Sequence, residues 1–426
     1  MSGAIAERTA NGGSEVLEPQ GRGRGRRVVL TGLGAVSSIG IGVEEFRDGL
    51  RSGRSGVRPI SLYDTTGFEY ANGAEVVGFQ PERHIRTLDP QRLGRATQFS
   101  VAAARMAVAD AGLTAEALDA GRCLISVGTT DGESHDLDRL VETEVAEGPE
   151  HMDAITARRV PVGHLSTAVA REFELTRAEA VTVPTACAAG NYAIGYGLDA
   201  IRIGEADIAL CGGADAVCRK TFTGFYRLGT IAPEKCQPFD ADRKGILTGE
   251  GAGILVLESL ESALARGARI YAEVLGYGLN CDAYHQVAPF GESVADCMRL
   301  ALDDAGVKPE EVDFISAHGT GTKANDTTEV GAIRSVFGDA VPRTISMKSM
   351  LGHAMGAASA LAAIGCALAI KEGFIPPTIN HVQTDPECAV DCVPNEAVEA
   401  DLRIVQNNGL AFGGNNAVVI FGSYQS

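Results

Sequence analysis

Residues 181–203 read VTVPTACAAGNYAIGYGLDAIRI. A β-rich run stops at Pro184, Thr185 and Ala186 follow, and then comes Cys187. The small residues Ala188, Ala189 and Gly190 then open an amphipathic helix with Ile194, Leu198 and Ile201 along one face. One sulfur therefore sits at a strand-to-helix turn, at the positive end of a helix, where thiolate is favoured over thiol. The small neighbours leave room for a bulky group beside it. Taken alone, the segment also reads as a cysteine packed tightly at a turn.

The same alternation extends in both directions. Helical periodicity recurs over 91–111, 188–203, 292–305 and 356–371. Buried-strand signatures lie at 122–128, 180–183, 207–212, 252–257, 312–316, 343–346, 402–406 and 416–422. Strands interleaved with helices indicate layered α/β architecture. Ordered structure is expected to begin at Val28-Val29-Leu30-Thr31-Gly32, with GLGAVSSIG after it as a strand-to-loop exit. That loop is weak evidence for a nucleotide, because Glu44 and Glu45 come too early for a ribose-binding acid. Residues 1–27 read as a disordered leader ending in GRGRGRR. Two related halves are expected, at 28–275 and 276–426, each closing on a strand rich in Val, Ile and Leu (AGILVLE and NAVVIFG).

Composition narrows the classes. With 426 residues, 45% of them hydrophobic, the chain can bury a large core. Its 52 glycines, against a background of roughly 7%, imply many tight turns. A net charge of −18 argues against nucleic acid as the main partner. No apolar run suggests a membrane span or a secretory signal, so a cytoplasmic location is expected. The ten cysteines include no C-x-x-C, and no metal is expected. Most of them read as small buried hydrophobes.

Two histidine motifs follow the cysteine. His318 opens HGTGTKANDTTE, and His353 stands in KSMLGHAMGA. Each follows a strand-like run (VDFISA, RTISM) and lies in a Gly-rich loop, where active-site groups commonly gather. A lone His would more often be structural. Two such loops with a candidate thiolate upstream point to nucleophilic catalysis.

TACAAG, HGTGTKANDTTE, KSMLGHAMGAA and NNGLAFGGNNAVVIFG resemble, in order and spacing, the β-ketoacyl-[acyl-carrier-protein] synthase II family, including type II polyketide ketosynthases. The likeness runs from about residue 27 to 424 and includes FDADRKGILTGEGAGILVLE at 239–258. It implies a thiolase-like duplicated fold with a five-layered α-β-α-β-α core, usually dimerised. The implied chemistry is ping-pong. Cys187 takes an acyl chain from a carrier-protein phosphopantetheine thioester, and decarboxylated malonyl-carrier protein then attacks it. No separate bound cofactor is implied.

The resemblance also assigns roles. His318 and His353 would donate to the malonyl thioester oxygen through Nε2–H. The backbone N–H groups of Cys187 and Phe412 would bind the tetrahedral oxyanion. Lys348 would be an electrostatic organiser paired with Asp326 and Glu329. Thr320 and Thr322 match hydroxyls that hold the phosphopantetheine arm, and Phe412 matches an aromatic gate. Arg92 and Arg95 match a basic patch that docks acidic carrier protein. Leu410, Ala411 and Asn415 depart from the family's usual Phe, Gly and Thr, and Ala411 is expected to restrict the gate. Ala189, Asn191 and Tyr192 are a less common version of the neighbourhood of the cysteine, which together with the gate suggests specialised metabolism. The partner would be an identical chain or a chain-length-factor-like subunit. Three other readings compete: a non-condensing chain-length partner, which would lack the nucleophile; an acyl-binding scaffold, which would not need the Cys/His/His/Lys set; and a degradative thiolase, which would place a second cysteine where Phe412-Gly413-Gly414 stands.

Overall fold

The computed structural model describes residues 25–425. The leader expected at 1–27 lies outside the described residues except for Gly25, Arg26 and Arg27. Arg27 makes a two-pronged bond to Glu273.

The main strands are β1 (Val28–Ser37), β2 (Cys123–Gly128), β3 (Ala178–Val183), β4 (Ile208–Asp215), β5 (Gly251–Ser259), β6 (Ala272–Cys281), β7 (Phe314–Ser316), β8 (Arg343–Ile345), β9 (Ile404–Leu410) and β10 (Asn415–Gly422). The first five lie in the order β1-β5-β4-β2-β3, and the second five in the order β6-β10-β9-β7-β8. The two orders are the same, and so are the directions. In each half the first two neighbouring pairs are antiparallel and the last two parallel. Such a repeat is what an internal duplication leaves behind, and it is far plainer here than in the residues themselves. The halves join through β1 and β6, where Val29 faces Glu273 and Leu30 faces Ala272. Because β6 starts at Ala272, a division at 275/276 would cut a strand. We place it in the turn just before β6. The GLGAVS segment, expected as a loop, is the rest of β1 and is fully buried.

The helices that frame the site are α1 (Arg95–Asp110), α2 (Ser134–Glu147), α3 (His164–Glu172), α4 (Ala189–Arg202), α5 (Arg219–Arg227), α6 (Gly291–Ala305), α7 (Lys323–Phe337) and α8 (Ala358–Glu372); others, such as Val43–Arg51, are shorter or peripheral. α1 and α3 cover the outer face of the first half, and α6 covers that of the second with α7 against it. α4 and α8 pack on each other and on strands of both halves, forming the middle of five layers. A helix buried on all sides must be apolar all round. α8 satisfies this with Leu361, Ile364 and Leu368 set among Ala and Gly. The span Met355–Glu372 is long and apolar enough to cross a membrane, but 83% of it is buried inside the protein, as befits a core helix.

Close approach of the central helices depends on small residues. A Cβ on Gly190 would lie 2.6 Å from the backbone nitrogen of Ala360. Ile194, Leu198 and Ile201, the predicted face of α4, are fully buried. Each contributes about 1.5–3 kcal/mol by leaving water, and Leu198→Ala would cost about 2–5 kcal/mol. A polar hub locks the layer's register. Asn191 Nδ2 donates to the carbonyls of Asn407 and Ala417, and Asn407 Nδ2 donates to Asn191 Oδ1 and to the carbonyl of Ser359.

Candidate active site

Cys187 and His353 occupy equivalent places in the two halves. Each follows the third strand of its half and precedes the central helix. His318 follows β7, and Phe412 follows β9. Loops leaving the C-terminal ends of parallel strands thus converge, as the topology of open α/β sheets favours. Cys187, His318 and His353 line one cleft of about 780 Å³, together with Thr320, Thr322 and Phe412.

Cys187 lies on the 3₁₀ turn Ala186–Ala188 that feeds α4, and it is 5% exposed. Ala186 has φ 52°, a left-handed conformation costly for a residue with a Cβ, and this reversal sets the cysteine at the helix mouth. The expected resting thiolate is not met. Burial pushes the thiol up to about 12, Lys348 pulls it down only in part, and Asp131 and Asp215 push it further up. Nor do the imidazoles supply positive charge. Burial and Lys348 hold both His318 and His353 well below the ordinary imidazole range, so both are neutral.

Their tautomers are set by the backbone and by Lys348. His353 Nδ1 accepts the N–H of Met355 at 3.1 Å. The ammonium of Lys348, which has only hydrogens to offer, lies 3.5 Å from His318 Nδ1 and donates to the His318 carbonyl at 2.6 Å. With Nδ1 engaged, each ring carries its proton on Nε2. The rings meet edge to face, with centroids 5.4 Å apart.

The carboxylates act on Lys348 at a distance: burial lowers its ammonium, and Glu329 and, less strongly, Asp326 raise it. Among the described residues Lys348 forms no ion pair with Asp326 or Glu329. Glu329 instead accepts the backbone N–H groups of His318 (2.7 Å) and Gly319 (2.8 Å) and the amide of Asn408 (3.0 Å). Asp326 accepts from Phe239 and Gly321 and faces Arg243 at 3.5 Å. Both are fully buried clamps on the His318 loop, because backbone N–H groups lie closer to them than the lysine does. Thr320 and Thr322 share a hydroxyl–hydroxyl bond of 2.9 Å on the cleft wall.

Phe412 is 38% exposed and tilts against Phe225, with centroids 5.4 Å apart. Ala411 is unstrained in this conformation. Its φ and ψ, −139° and 154°, are extended, and any residue adopts them. The left-handed positions are Gly413 and Gly414. Arg95 is not a free docking cation. It bonds to buried Glu250 and to the Val76 carbonyl and lies over the Phe99 ring. Its place on the inner side of α1 turns it towards β5. Arg92 is exposed, with Asp89 at 3.7 Å.

Two family models match the chain: the beta-ketoacyl synthase N-terminal domain over residues 25–263 and its C-terminal domain over 271–382. The chain belongs to the beta-ketoacyl synthase family. It is 38% identical over 411 residues to the 3-oxoacyl-[acyl-carrier-protein] synthase 2 of Staphylococcus aureus, covering 94% of this chain and 99% of that protein. It is 39% identical over 399 residues to nodulation protein E of Rhizobium meliloti, covering 93% and 99%. Among solved structures, the ishigamide ketosynthase/chain length factor superposes with TM-score 0.93 at 65% identity, covering 94% of this chain and 100% of that one. A type II polyketide ketosynthase, solved with its acyl-carrier protein and bound to the hexaketide, superposes with TM-score 0.86 at 31% identity, again covering 94% and 100%. The synthase is thus a condensing acyltransferase on the thiolase-like fold that its motifs imply.

Sequence reasoning missed several residues of the synthase's cleft. Phe225, on α5, and Asn325, on the first turn of α7, both line it. So does His285, whose Nδ1 accepts the N–H groups of Val287 and Ala288. The signal for His285 was the strand before it, β6, but Gly276 and Gly278 dilute that strand's β character.

Proposed function

We propose that Cys187 is the nucleophile of a decarboxylative Claisen condensation and that His318 and His353 are its two hydrogen-bond donors. The observation that carries this reading is the meeting of one thiol and two neutral, Nδ1-engaged imidazoles in a single cleft. The Cys187 sulfur attacks an acyl thioester of phosphopantetheine. The thiol proton leaves with the departing pantetheine sulfur, and an acyl-cysteine remains. Malonyl thioester then enters, and its carbon–carboxylate bond breaks to give CO2. The resulting enolate oxygen lies between the two Nε2–H groups. The enolate carbon attacks the acyl carbonyl, whose oxyanion takes the N–H groups of Cys187 and Phe412. Collapse releases the β-ketoacyl thioester and the Cys187 thiolate, which recovers a proton from solvent.

Lys348 orients His318, and Glu329 and Asp326 fix the loop that carries it. Thr320 and Thr322 hold the pantetheine arm, and Phe412 gates the acyl pocket. The substrates ride on acyl carrier protein, as in the solved ketosynthase that carries its own, and the enzyme works in the cytoplasm. The docking cations are Arg92, Arg158 and Arg171, exposed around one cleft of about 1000 Å³, in place of Arg95. A second subunit, identical or chain-length-factor-like, covers β3. No further strand among the described residues pairs with the free edge of β3, and an unpaired edge invites a partner. Leu137, Val141 and Val145, spaced one turn apart on α2, are exposed and need cover as well.

Intact mass after incubation with acyl-carrier protein tests the nucleophile. The wild type gains the acyl mass and Cys187→Ala does not. An adduct that survives on the variant refutes the assignment.

A further inference from the structure

Asp215 ends β4 and is wholly shielded from solvent. Its carboxylate receives five hydrogens. Thr129 Oγ1 donates at 2.6 Å, and the backbone N–H groups of Thr130, Asp131 and Gly132 donate at 2.8, 2.9 and 3.1 Å. The fifth comes from the other half of the molecule, the N–H of Gly356 at 2.6 Å. Packing confirms how tight that junction is, since a Cβ on Gly356 would lie 2.5 Å from the Thr129 Cα.

Gly356 follows Met355, and Met355 has φ 50°. A methionine does not hold that left-handed conformation without help from its surroundings. The turn it makes aims the Met355 N–H at His353 Nδ1. The His353 backbone is fixed separately, by Leu247 and Gly249. What the Met355 turn adds is the choice of ring nitrogen that carries the proton.

We propose that Asp215 is a positioning residue for the condensation: by holding Gly356 it holds the Met355 turn, and through that turn it keeps His353 protonated on Nε2. The inference rests on the reading of His353 as a donor. Asp215 itself touches no substrate. Asp131, the neighbouring carboxylate, is occupied by Lys220 and Thr221 and does not compete for Gly356.

The test is a double-mutant cycle between Asp215→Asn and His353→Gln in the full-length enzyme, with each half-reaction assayed alone. An asparagine turns an N–H₂ group toward donors and loosens the clamp, whereas a glutamine at 353 offers its amide N–H without a tautomer to choose. Asp215→Asn should lower CO2 release from malonyl-carrier protein by up to about 10²-fold. Acylation of Cys187 should hold level or rise, because Asp215, which burial and Asp131 lift to about 7, disfavours the thiolate in its ionised form. In the His353→Gln background the second change should add little. A parallel loss of both half-reactions, or additive losses of CO2 release, would overturn the proposal. If His353→Gln alone leaves decarboxylation intact, the donor role of His353 fails instead. Should Asp215→Asn not fold, ¹⁵N-histidine spectra of the wild type, assigned against His353→Gln, decide. A His353 ring protonated on Nδ1 would end the argument.

Discussion

The ammonium of Lys348 lies 2.6 Å from the carbonyl oxygen of His318 and 3.5 Å from that residue's own Nδ1. One cation thus holds both the backbone and the ring of a catalytic candidate. Lys348→Met removes the group that keeps the His318 proton on Nε2. CO2 release from malonyl-carrier protein should fall by about 10²-fold. Acylation should slow as well, by less, because Lys348 also draws the Cys187 thiol down. Undiminished CO2 release would take Lys348 out of this role.

The Cys187 thiol should be protonated in the free enzyme at neutral pH. Burial drives it up to about 12, and a buried thiol is inert until its surroundings change. The rate of iodoacetamide alkylation at Cys187 should therefore climb through pH 9 without a plateau, with Cys187→Ala as the blank. A plateau near pH 7 would mean a resting thiolate.

Both cleft imidazoles, His318 and His353, titrate well below 6.5 in the native state. Below pH 6.5 the unfolded chain takes up protons at these two positions that the native chain refuses, so their contribution to stability is present above 6.5 and lost as pH falls. The slope is about 1.4 kcal/mol per pH unit for each imidazole. Raised carboxylates act with the opposite sign. Asp326, lifted by burial to about 6, favours the native state at low pH and disfavours it as pH rises through that value. Comparing variants isolates the histidines. Denaturant melts of His318→Gln and His353→Gln between pH 5 and 7 should each show a shallower acid loss than the wild type. Equal slopes would mean that the native rings titrate normally.

The sequence was legible where period and chemistry agreed. Cys187, His318 and His353 announced themselves through Gly-rich loops after strand-like runs, and the structure gathers them in one cleft. The helix face of Ile194, Leu198 and Ile201 was read correctly because a buried stripe must repeat every three or four residues. The duplication was nearly invisible in the residues, since strand order is a matter of pairing, and pairing leaves no local trace. β6 was missed because Gly276 and Gly278, needed where α6 backbone comes within reach of them, replace the β-branched residues that mark a strand. Arg95 misled because its charge shows in the sequence but its partner, Glu250, stands far along the chain.

Arg92 and Arg95 should separate cleanly. Arg92→Glu reverses an exposed charge beside Arg158 and Arg171. It should raise KM for acyl-carrier protein several-fold at low salt, with the effect fading as salt screens it. kcat on a small acyl thioester should stay the same. Arg95→Ala strands the buried Glu250 carboxylate and should cost about 3 kcal/mol, seen as a lower Tm at unchanged KM. A carrier-specific KM effect from Arg95 with no loss of Tm would restore it to the docking surface.

The mobility of the Phe412 loop should reside in the two glycines that follow it. Ala411 is extended, so Ala411→Gly gains nothing in this conformation and should leave acylation rates near those of the wild type. Gly413 has φ 80° and only Asn415 Nδ2, at 3.8 Å, near its Cβ position, so Gly413→Ala meets no clash but pays the left-handed penalty of about 1 kcal/mol. At Gly414, φ is 81° and a Cβ would strike the Asp282 carboxylate. Because the N–H groups of Tyr284 and Phe290 hold that carboxylate, Gly414→Ala should shift the loop away from Asp282 and with it move Phe412 against Phe225. It should change which acyl lengths load onto Cys187, whereas Gly413→Ala should slow loading uniformly. An acyl panel read by intact mass distinguishes the two, and an Ala411→Gly variant with an altered acyl profile would return the hinge to residue 411.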